Sequence, residues 1–218
     1  MRGTSRTVAL AAVLLVAGSS PPARAGEPWS SNHGFEIGFR TGVSVPAGDI
    51  EPGWPLSSQR GLQFPLWVDL GYRTGPVVVG GYGGWAPGLT AGECSNATCF
   101  MYAWKAGVEV QVHAARRGEQ VDPWISFGIG YESNTFQFWQ HNGGGDGQET
   151  LQGWDLARFG LGVDFALSPS LKLGPFVHAT VSQFVKFDHS YGYPNTDWFI
   201  DKSLHSWITI GVKLTHLP

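Results

Sequence analysis

The fold is decided by a pattern that is clearest in the stretch Tyr102-Ala103-Trp104-Lys105-Ala106-Gly107-Val108-Glu109-Val110. Apolar or aromatic side chains alternate there with glycine, small or polar residues. Successive side chains of a β-strand point to opposite faces, so this period of two predicts a strand with one apolar face and one polar face. The same alternation occurs in residues 35–40 and 208–214. The chain is therefore predicted to be all-β.

Segments with this pattern follow one another along the chain after residue 25. We predict eight strands, at residues 33–45, 61–72, 76–86, 100–114, 122–133, 153–167, 171–185 and 204–216. The connections alternate in length, being long at 46–60, 87–99, 134–152 and 186–203 and short at 73–75, 115–121 and 168–170. An even number of antiparallel strands joined in this way is typical of a closed up-and-down transmembrane β-barrel with short periplasmic turns and long extracellular loops.

The first 25 residues have the features of an export signal. Arg2 and Arg6 precede an apolar segment from Val8 to Ala17, and Ala23-Arg24-Ala25 has the form of a cleavage site. The apolar segment is too short to span a bilayer as a helix, and no later stretch is long and apolar enough to do so. We predict a cleaved signal peptide over residues 1–25 and one outer-membrane barrel domain over residues 26–218.

Charge and composition limit the classes of partner. The chain has 14 Lys and Arg, 17 Asp and Glu, 31 Gly and 10 Trp. Three of the arginines lie in the predicted signal, so the exported chain keeps 11 basic and 17 acidic residues and a net charge of −6. An acidic balance speaks against nucleic acid as a partner. The low charged fraction, 14%, with so many glycines and tryptophans is unusual for a soluble enzyme.

The two faces of the strands differ in charge. The apolar face carries no charged residue and is predicted to contact lipid; its members include Ile37, Phe39, Phe64, Leu66, Val68, Val108, Val110, Phe127, Ile129, Phe159, Leu161, Val163, Val177, Ile208 and Ile210. The opposite face carries five basic and five acidic residues, which are predicted to form an interior charge network: Glu36, Arg40, Asp69, Lys105, Glu109, Glu132, Arg158, Asp164, Lys172 and Lys213.

An eight-stranded barrel has room for side chains or one small ligand, but not for a wide channel. We therefore expect the ten charges to pair and fill the interior, because an unpaired buried charge costs several kcal/mol. Counting along the strands predicts a middle layer of Arg40, Lys105, Glu109 and Arg158. A second layer near the periplasmic end would contain Glu36, Asp69, Asp164, Lys172 and Lys213. A gated path for protons or ions through the same residues is the alternative.

Aromatic residues cluster where the strands should cross the membrane interfaces. Tyr72, Trp85, Tyr102, Trp104, Trp124 and Tyr131 are assigned to aromatic girdles. Trp67 and Trp207 have inward parity and are expected to fill the barrel. Cys94 and Cys99 lie in a predicted external loop and are the chain's only cysteines, so a disulfide is predicted from an oxidising compartment and an even count.

With these features the whole exported chain resembles the superfamily of small eight-stranded outer-membrane barrels of Gram-negative bacteria. Members of that superfamily include adhesins, barrels that anchor the envelope, conduits for small hydrophobic molecules and lipid A-modifying enzymes. The resemblance rests on architecture and not on a signature motif, so it implies the fold and the outer membrane and leaves the activity open. Such barrels usually end in an aromatic residue, whereas this sequence ends in Leu217-Pro218.

An enzymatic role depends on Asp188-His189-Ser190 in the fourth long connection and on His205-Ser206 just after it. Barrel lipid A deacylases place a His and a Ser two residues apart on one strand face. Here the two residue types are adjacent and would point to opposite faces of a strand. We therefore predict no catalytic residue, no cofactor and no metal site, and we interpret His205 as a rim histidine and His178 as an interior one.

The predicted external loops carry more aromatic surface than solvated loops require. The candidate binding residues are Trp54, Trp139, Tyr191, Tyr193 and Trp198. We expect a monomer surrounded by outer-membrane lipid and lipopolysaccharide that acts structurally or by loop-mediated binding of a surface ligand or envelope protein. The alternatives are a small pore or a conduit for hydrophobic solutes, which Pro65 and Pro175 would favour by opening a seam, and a lipid-modifying enzyme.

Overall fold

The structure is a computed structural model that describes residues 33–91, 94, 97–117, 119–141, 146–191, 193–198 and 202–218. The predicted signal peptide lies outside this part. The elements of the described part are β1 (His33–Glu51), β2 (Trp54–Pro55), α1 (Leu56–Gln59), β3 (Arg60–Gln63), β4 (Leu66–Thr74), β5 (Val77–Thr90), β6 (Ala97–His113), β7 (Val121–Gln140), β8 (Asp146–Ser168), β9 (Leu171–Tyr191), β10 (Tyr193–Trp198) and β11 (His205–His216). None of the described helices is long and apolar enough to cross a membrane.

Eight of the described strands pair antiparallel in a closed ring. The order is β1, β4, β5, β6, β7, β8, β9, β11 and back to β1. Arg40 of β1 illustrates the closure, because it lies opposite Trp67 of β4 on one side and Lys213 of β11 on the other. The predicted eight-stranded up-and-down barrel is confirmed. A closed ring leaves no unpaired wall edge, so the backbone polar groups are satisfied within the barrel.

The outer wall of the ring is apolar. Phe39, Val108, Phe127, Leu161 and Ile210 point outward and are between 50% and 63% exposed. An apolar band of this extent around a whole protein would be unstable in water and is the surface expected where a barrel contacts lipid. The alternate positions point inward and are mostly polar and buried. Both faces therefore follow the period of two in the sequence.

Strands extend into all four predicted long loops, and the third and fourth loops differ most from the prediction. In the third connection β7 continues to Gln140 and β8 begins at Asp146, and in the fourth β9 continues to Tyr191 and pairs with β10. Residues 97–103, 134–140, 146–153, 184–191 and 193–198 thus form one antiparallel sheet beyond the membrane, which we name the extracellular sheet. Both faces of this sheet meet water and packed side chains, and the neighbours Asn134 and Thr135 are both buried. Its sequence therefore need not alternate, and the period of two does not predict these strands.

The first long connection also has structure and closes the outer mouth of the barrel. β1 continues to Glu51, and α1 is a single turn whose Leu56 is completely buried. Leu56 packs in a buried cluster that we name the apolar cap: Ile50, Leu56, Leu151, Phe184 and Trp207. Arg60 reaches across the remainder of the mouth from β3 and lies over the Phe136 ring of β7, 5.4 Å from its centroid. The segment predicted as a loop is therefore a lid of packed side chains.

Candidate functional site

Charged side chains fill the middle of the barrel in what we name the central layer: Arg40, Asp69, Glu109, Arg158 and His178. Arg40 donates to Asp69 and lies 3.3 Å from Glu109, and Arg158 Nε lies 3.3 Å from the same glutamate. The ring nitrogens of His178 lie 3.0 Å from Arg40 and 2.9 Å from Arg158. All five residues are at least nine-tenths buried. The layer is a continuous network from β1 to β9.

Aromatic rings hold the central arginine in place. The Arg158 guanidinium lies 4.3 Å from the centroid of the Trp67 ring and 4.2 Å from that of Tyr82. A guanidinium between two aromatic faces gains from the electrostatic attraction to both rings, and more so when it is shielded from water. Trp67 packs further against Trp124 and Phe176. Arg158 is therefore fixed both by ion pairing and by contacts with aromatic rings.

Toward the cell exterior the barrel contains an upper layer of Lys105, Glu132, Asp155, Ser182 and His205. Lys105 Nζ lies 2.6 Å from Glu132 and 3.4 Å from Asp155. Ser182 donates to Asp155 over 2.6 Å, and His205 Nε2 contacts Glu132. The interpretation of His205 as a rim histidine is wrong, because it is buried and stacks on the Phe184 ring of the cap.

The upper layer contains the residue types of a hydrolytic site, but not its geometry. A nucleophilic serine must have its hydroxyl within reach of a base. Here the Ser182 hydroxyl is committed to Asp155, and the nitrogen of His205 that faces Glu132 does not face the serine. Ser182, Glu132 and Asp155 are each no more than 1% exposed. The polar groups of the upper layer hydrogen-bond to one another, and no space is left for a substrate.

The periplasmic end is closed by a layer organised around Asp122. This carboxylate accepts hydrogen bonds from Arg73 at 3.2 Å and Lys172 at 2.8 Å and lies 3.0 Å from His113 Nδ1. Arg73 also lies 3.4 Å from Glu36 and donates to the carbonyl oxygens of Gly75 and Ala115 in the short turns. We name Glu36, Arg73, His113, Asp122 and Lys172 the periplasmic layer.

Further contacts join the periplasmic and central layers. Lys213 Nζ lies 3.7 Å from Asp164 and donates to Gln111 over 2.9 Å. Gln111 in turn donates to Glu109 over 2.7 Å. Trp124 donates its indole N–H to Asp164 over 2.9 Å. The assignment of Trp124 to an aromatic girdle is therefore wrong, because the side chain is buried inside the barrel.

All ten residues of the predicted charge network lie inside the barrel, and each has an oppositely charged partner. Their predicted layers differ from the observed ones: Asp69 lies in the central layer and Lys105 in the upper one. Sequence reasoning missed Arg73, Asp122 and Asp155. Parity alone would have found Arg73 and Asp122, since each continues an inward series of its strand.

Asp155 could not have been found by parity. Arg158 points inward, and strict alternation would make Asp155, three residues earlier, point outward. An irregularity in the β8–β9 pairing between Asp155 and Ala157 lets the side chains of Asp155 and Arg158 both point inward. A β-bulge of this kind adds one residue to one strand and re-aims the side chains beyond it. The bulge brings Asp155 to Lys105 and so completes the upper layer.

The candidate loop residues are spread over different environments. Cys94 and Cys99 form a disulfide. Trp54 is partly buried and packs against the apolar cap, whereas Trp139 is 41% exposed on the extracellular sheet. The backbones of Tyr191, Tyr193 and Trp198 lie in β9 and β10, and the side chains of all three lie outside the described part of the structure. The five predicted residues therefore do not form one described site.

The outward face of the extracellular sheet is a grid of polar side chains in cross-strand register. Gln137 lies opposite Gln148 and donates to it over 2.9 Å, and in the next row the buried Thr135 lies 3.1 Å from the buried Thr150. Gln137, Trp139, Asp146, Gly147, Gln148 and Ser190 line a depression of about 180 Å³ near the outer end. The face thus combines an exposed indole with amides, a hydroxyl and one carboxylate.

An apolar groove lies below this grid on the lipid-facing wall. Its volume is about 460 Å³, and its walls include Leu66, Val68, Trp85, Trp104 and Tyr131. The floor is low because Gly83 has no side chain, and no atom lies within 4 Å of the point that a Cβ would occupy. Ser133 marks the upper end of the groove, where the wall continues into the extracellular sheet.

In the described residues no His, Cys, Asp or Glu cluster could hold a metal ion.

Comparison with known structures shows what the architecture is similar to. The chain is similar to a major outer membrane protein from Thermus thermophilus, with 12% identity and a TM-score of 0.56 over 85% of this chain and 99% of that one. Lower TM-scores relate it to the outer membrane protein AlkL (0.49, 17% identity, 92% and 96% covered) and to Neisserial surface protein A (0.47, 14% identity, 82% and 95% covered). No family model and no curated protein matches the sequence.

Proposed function

We propose that this chain, a membrane-spanning barrel with the fold of the outer-membrane proteins, neither conducts solutes nor catalyses a reaction and acts at the cell surface through its extracellular sheet. The observation that carries the proposal is the filled interior. Buried side chains follow one another from the periplasmic layer through the central and upper layers to the apolar cap. Ligand binding or a structural role is then left to the surfaces outside the barrel.

The energetics of the interior support a closed barrel. A water-filled path would require ion pairs such as Arg158 with Glu109 and Lys105 with Glu132 to separate. Removing one partner of a buried pair typically costs about 3–5 kcal/mol, because the other charge is left without compensation. The path would also have to displace Leu56 and Trp207 of the cap. Thermal motion of a few side chains is insufficient to open such a path.

The enzymatic alternative is disfavoured by access. Ser182 and His205 are the interior groups closest to a hydrolytic pair, and both are buried beneath the cap. His189 of the extracellular sheet lies 3.8 Å from Asp197, but Ser190, its neighbour in the strand, is on the opposite face. We therefore assign no catalytic role to either histidine.

A conduit for hydrophobic solutes is the second candidate, because the apolar groove at Gly83 opens sideways on the barrel wall. A conduit would need the groove to connect with the interior. The wall behind it consists of β4, β5 and β6, which pair residue by residue from Leu66 with Trp85 to Thr74 with Val77 and from Val77 with Val112 to Gly88 with Met101. Tyr82 fills the inner side at this height. The groove is better suited to hold a molecule than to pass one.

The proposal includes a monomer embedded in outer-membrane lipid and lipopolysaccharide. A closed ring satisfies its own strand edges and needs no second chain to complete the wall. The cell-surface location follows from the orientation of such barrels, in which the longer hairpins point outward. Ligands for the surface are accordingly sought among molecules of the outer leaflet and the exterior.

The test is planar-bilayer conductance of the refolded barrel, combined with its heat-dependent gel mobility shift. We expect the mobility shift of a folded barrel and no steady conductance. A porin refolded in the same bilayers provides the positive control. Steady, ion-selective openings of the folded chain would contradict the proposal and mean that the charged layers line a pore. Uptake of a hydrophobic fluorophore into vesicles that depends on the barrel would favour the conduit.

A further inference from the structure

The apolar groove and the depression on the extracellular sheet both lie along the outward face of β7, on either side of the buried Thr135. Tyr131 and Ser133 of β7 line the groove, and Gln137 and Trp139 of the same strand line the depression. Their side chains share the outward face, since they are separated by even numbers of residues. Ser133 and Gln137 are four residues apart, which is about 13 Å along a strand. The surface therefore changes from apolar to polar over the length of a short oligosaccharide.

The groove has the chemistry of an acyl-chain site. Its exposed lining is almost entirely apolar, and it lies in the band of the wall that contacts lipid. Gly83 lowers the wall between Val68 and Ala106, its pairing partners on β4 and β6. A hydrocarbon chain seated there gains contact on three sides instead of one. Trp104 and Tyr131 flank the end that faces the headgroup region, where aromatic rings are favoured.

The depression above has the chemistry of a sugar site. The Trp139 ring is exposed and offers an apolar face to a pyranose ring, while Gln148 and Ser190 can both donate to and accept from hydroxyl groups. Gln137 fixes Gln148 by a cross-strand hydrogen bond, so the amide is held in place before a ligand arrives. Among the described residues of the lining, Asp146 is the only charged one, and none is a cation. A neutral saccharide fits this lining, whereas a phosphate group does not.

We propose that this surface binds an outer-leaflet glycolipid, with one acyl chain in the groove at Gly83 and a neutral saccharide headgroup on Trp139, Gln148 and Ser190. The proposal rests on the proposed function, since it names the partner class of the extracellular sheet. A single amphiphile can reach both halves, because the groove and the depression lie on one face of β7, on either side of the buried Thr135, with Ser133 and Gln137 about 13 Å apart. The groove alone would accept any acyl chain, and the depression alone would accept any neutral sugar. Their alignment along one strand favours a molecule that contains both.

The test uses the full barrel in bilayers of phosphatidylethanolamine and phosphatidylglycerol that contain a neutral dihexosyl diacylglycerol. Native mass spectrometry of the released barrel measures the fraction that retains each lipid. We expect wild type to retain the glycolipid in preference to phosphatidylglycerol. Trp139→Ala should weaken this retention by about three- to tenfold, which corresponds to loss of one aromatic contact. Gly83→Leu should weaken it by filling the groove without a steric clash at Cβ.

Matched variants separate these effects from general changes of the surface. Tyr72→Ala removes an exposed aromatic ring at the periplasmic end, and Ala179→Leu places the same leucine side chain on the lipid face of β9. Both should retain the glycolipid as wild type does. The free dihexosyl glycerol, which has no acyl chains, should bind more weakly and respond to Trp139→Ala but not to Gly83→Leu.

Three results would overturn the inference: equal retention of both lipids by wild type, no effect of Trp139→Ala, or no effect of Gly83→Leu. Each variant must first show the heat-dependent mobility shift of a folded barrel. If the glycolipid test fails and the barrel does not conduct, only the glycolipid proposal is contradicted, and the proposed closed barrel with a surface role is unaffected. Steady conductance instead removes the proposed function itself, so the two failures are distinguishable.

Discussion

The barrel wall and the extracellular sheet are built from the same strands under different rules. Within the wall, residues of β7 from Val121 to Ile129 alternate strictly between exposed and buried. Beyond it, the neighbours Asn134 and Thr135 are both buried. Lipid on one side and packed charges on the other allow only one pattern, whereas water and packed side chains on both sides allow several. The medium on each side of a strand therefore determines whether the strand can be predicted from its sequence.

The two regions also differ in what their ion pairs contribute. Arg158 and Glu109 in the wall are almost completely buried, whereas Lys186 and Asp188 in the extracellular sheet are each 28% exposed. Exposed pairs are screened by water and contribute up to about 1 kcal/mol, but a broken buried pair leaves an uncompensated charge. The comparison therefore predicts large effects inside the barrel and small ones outside it.

The largest effect is expected for Arg158→Ala. The substitution removes the pair with Glu109 and the contacts with the Trp67 and Tyr82 rings. We expect the free energy of unfolding to fall by about 3–5 kcal/mol. Lys186→Ala is the matched control and should cost less than about 1 kcal/mol. Urea unfolding in lipid vesicles measures both values. Equal costs would contradict this difference between the two regions, because they would mean that the central layer is hydrated.

The apolar cap tests where the boundary between the two regions lies. Leu56 belongs to the first connection and not to the ring, yet it is completely buried. Leu56→Ala should lower the free energy of unfolding by about 2–5 kcal/mol, as for a core leucine. Leu89→Ala removes a 55% exposed leucine on β5 and should change it by less than about 0.5 kcal/mol. A small effect at Leu56 would mean that the cap is not packed like the interior of the barrel.

The sequence predicts the wall well and the regions above it poorly, for physical reasons. Strict alternation revealed the eight ring strands and the inward positions of residues such as Arg40 and Lys213. It could not reveal Asp155, because the bulge before Ala157 breaks the period. It did not reveal α1 either, since a single turn that closes a barrel mouth has no periodicity of its own. The depression at Trp139 depends on a cross-strand pairing of Gln137 with Gln148 that only the structure displays.

The disulfide lies at the outer ends of two wall strands. Cys94 and Cys99 close a short loop between β5 and β6. By the chain-entropy estimate, so short a loop contributes about 2 kcal/mol. Replacing both cysteines by serine should therefore leave the mobility shift of the folded barrel intact and increase hydrogen exchange only near the outer ends of β5 and β6. A chain that no longer folds would mean that this loop directs assembly of the wall.

The smallest effect concerns Asp188, which joins three strands of the extracellular sheet. Its carboxylate accepts hydrogen bonds from Gln152 of β8 at 2.9 Å and Thr196 of β10 at 2.6 Å and pairs with Lys186 at 2.8 Å. Partial burial alone would raise the pKa of Asp188, but the hydrogen bonds from Lys186 and Thr196, together with the lysine charge, hold this pKa below its ordinary value.

A lowered carboxyl pKa stabilises the folded form at neutral pH. This contribution is complete above the pKa of the unfolded chain, about 4, and is lost as the pH falls through the lower value of the folded sheet. The protection of the β9 and β10 amides against hydrogen exchange, taken relative to the intrinsic rate at each pH, should therefore fall below about pH 4, while the protection of the wall strands stays constant. Asp188→Asn should abolish the pH step. If wild type and Asp188→Asn respond alike to acid, a group other than Asp188 controls the stability of this part of the sheet. The difference in stability between the barrel interior and the extracellular sheet must then come from packing and not from charge.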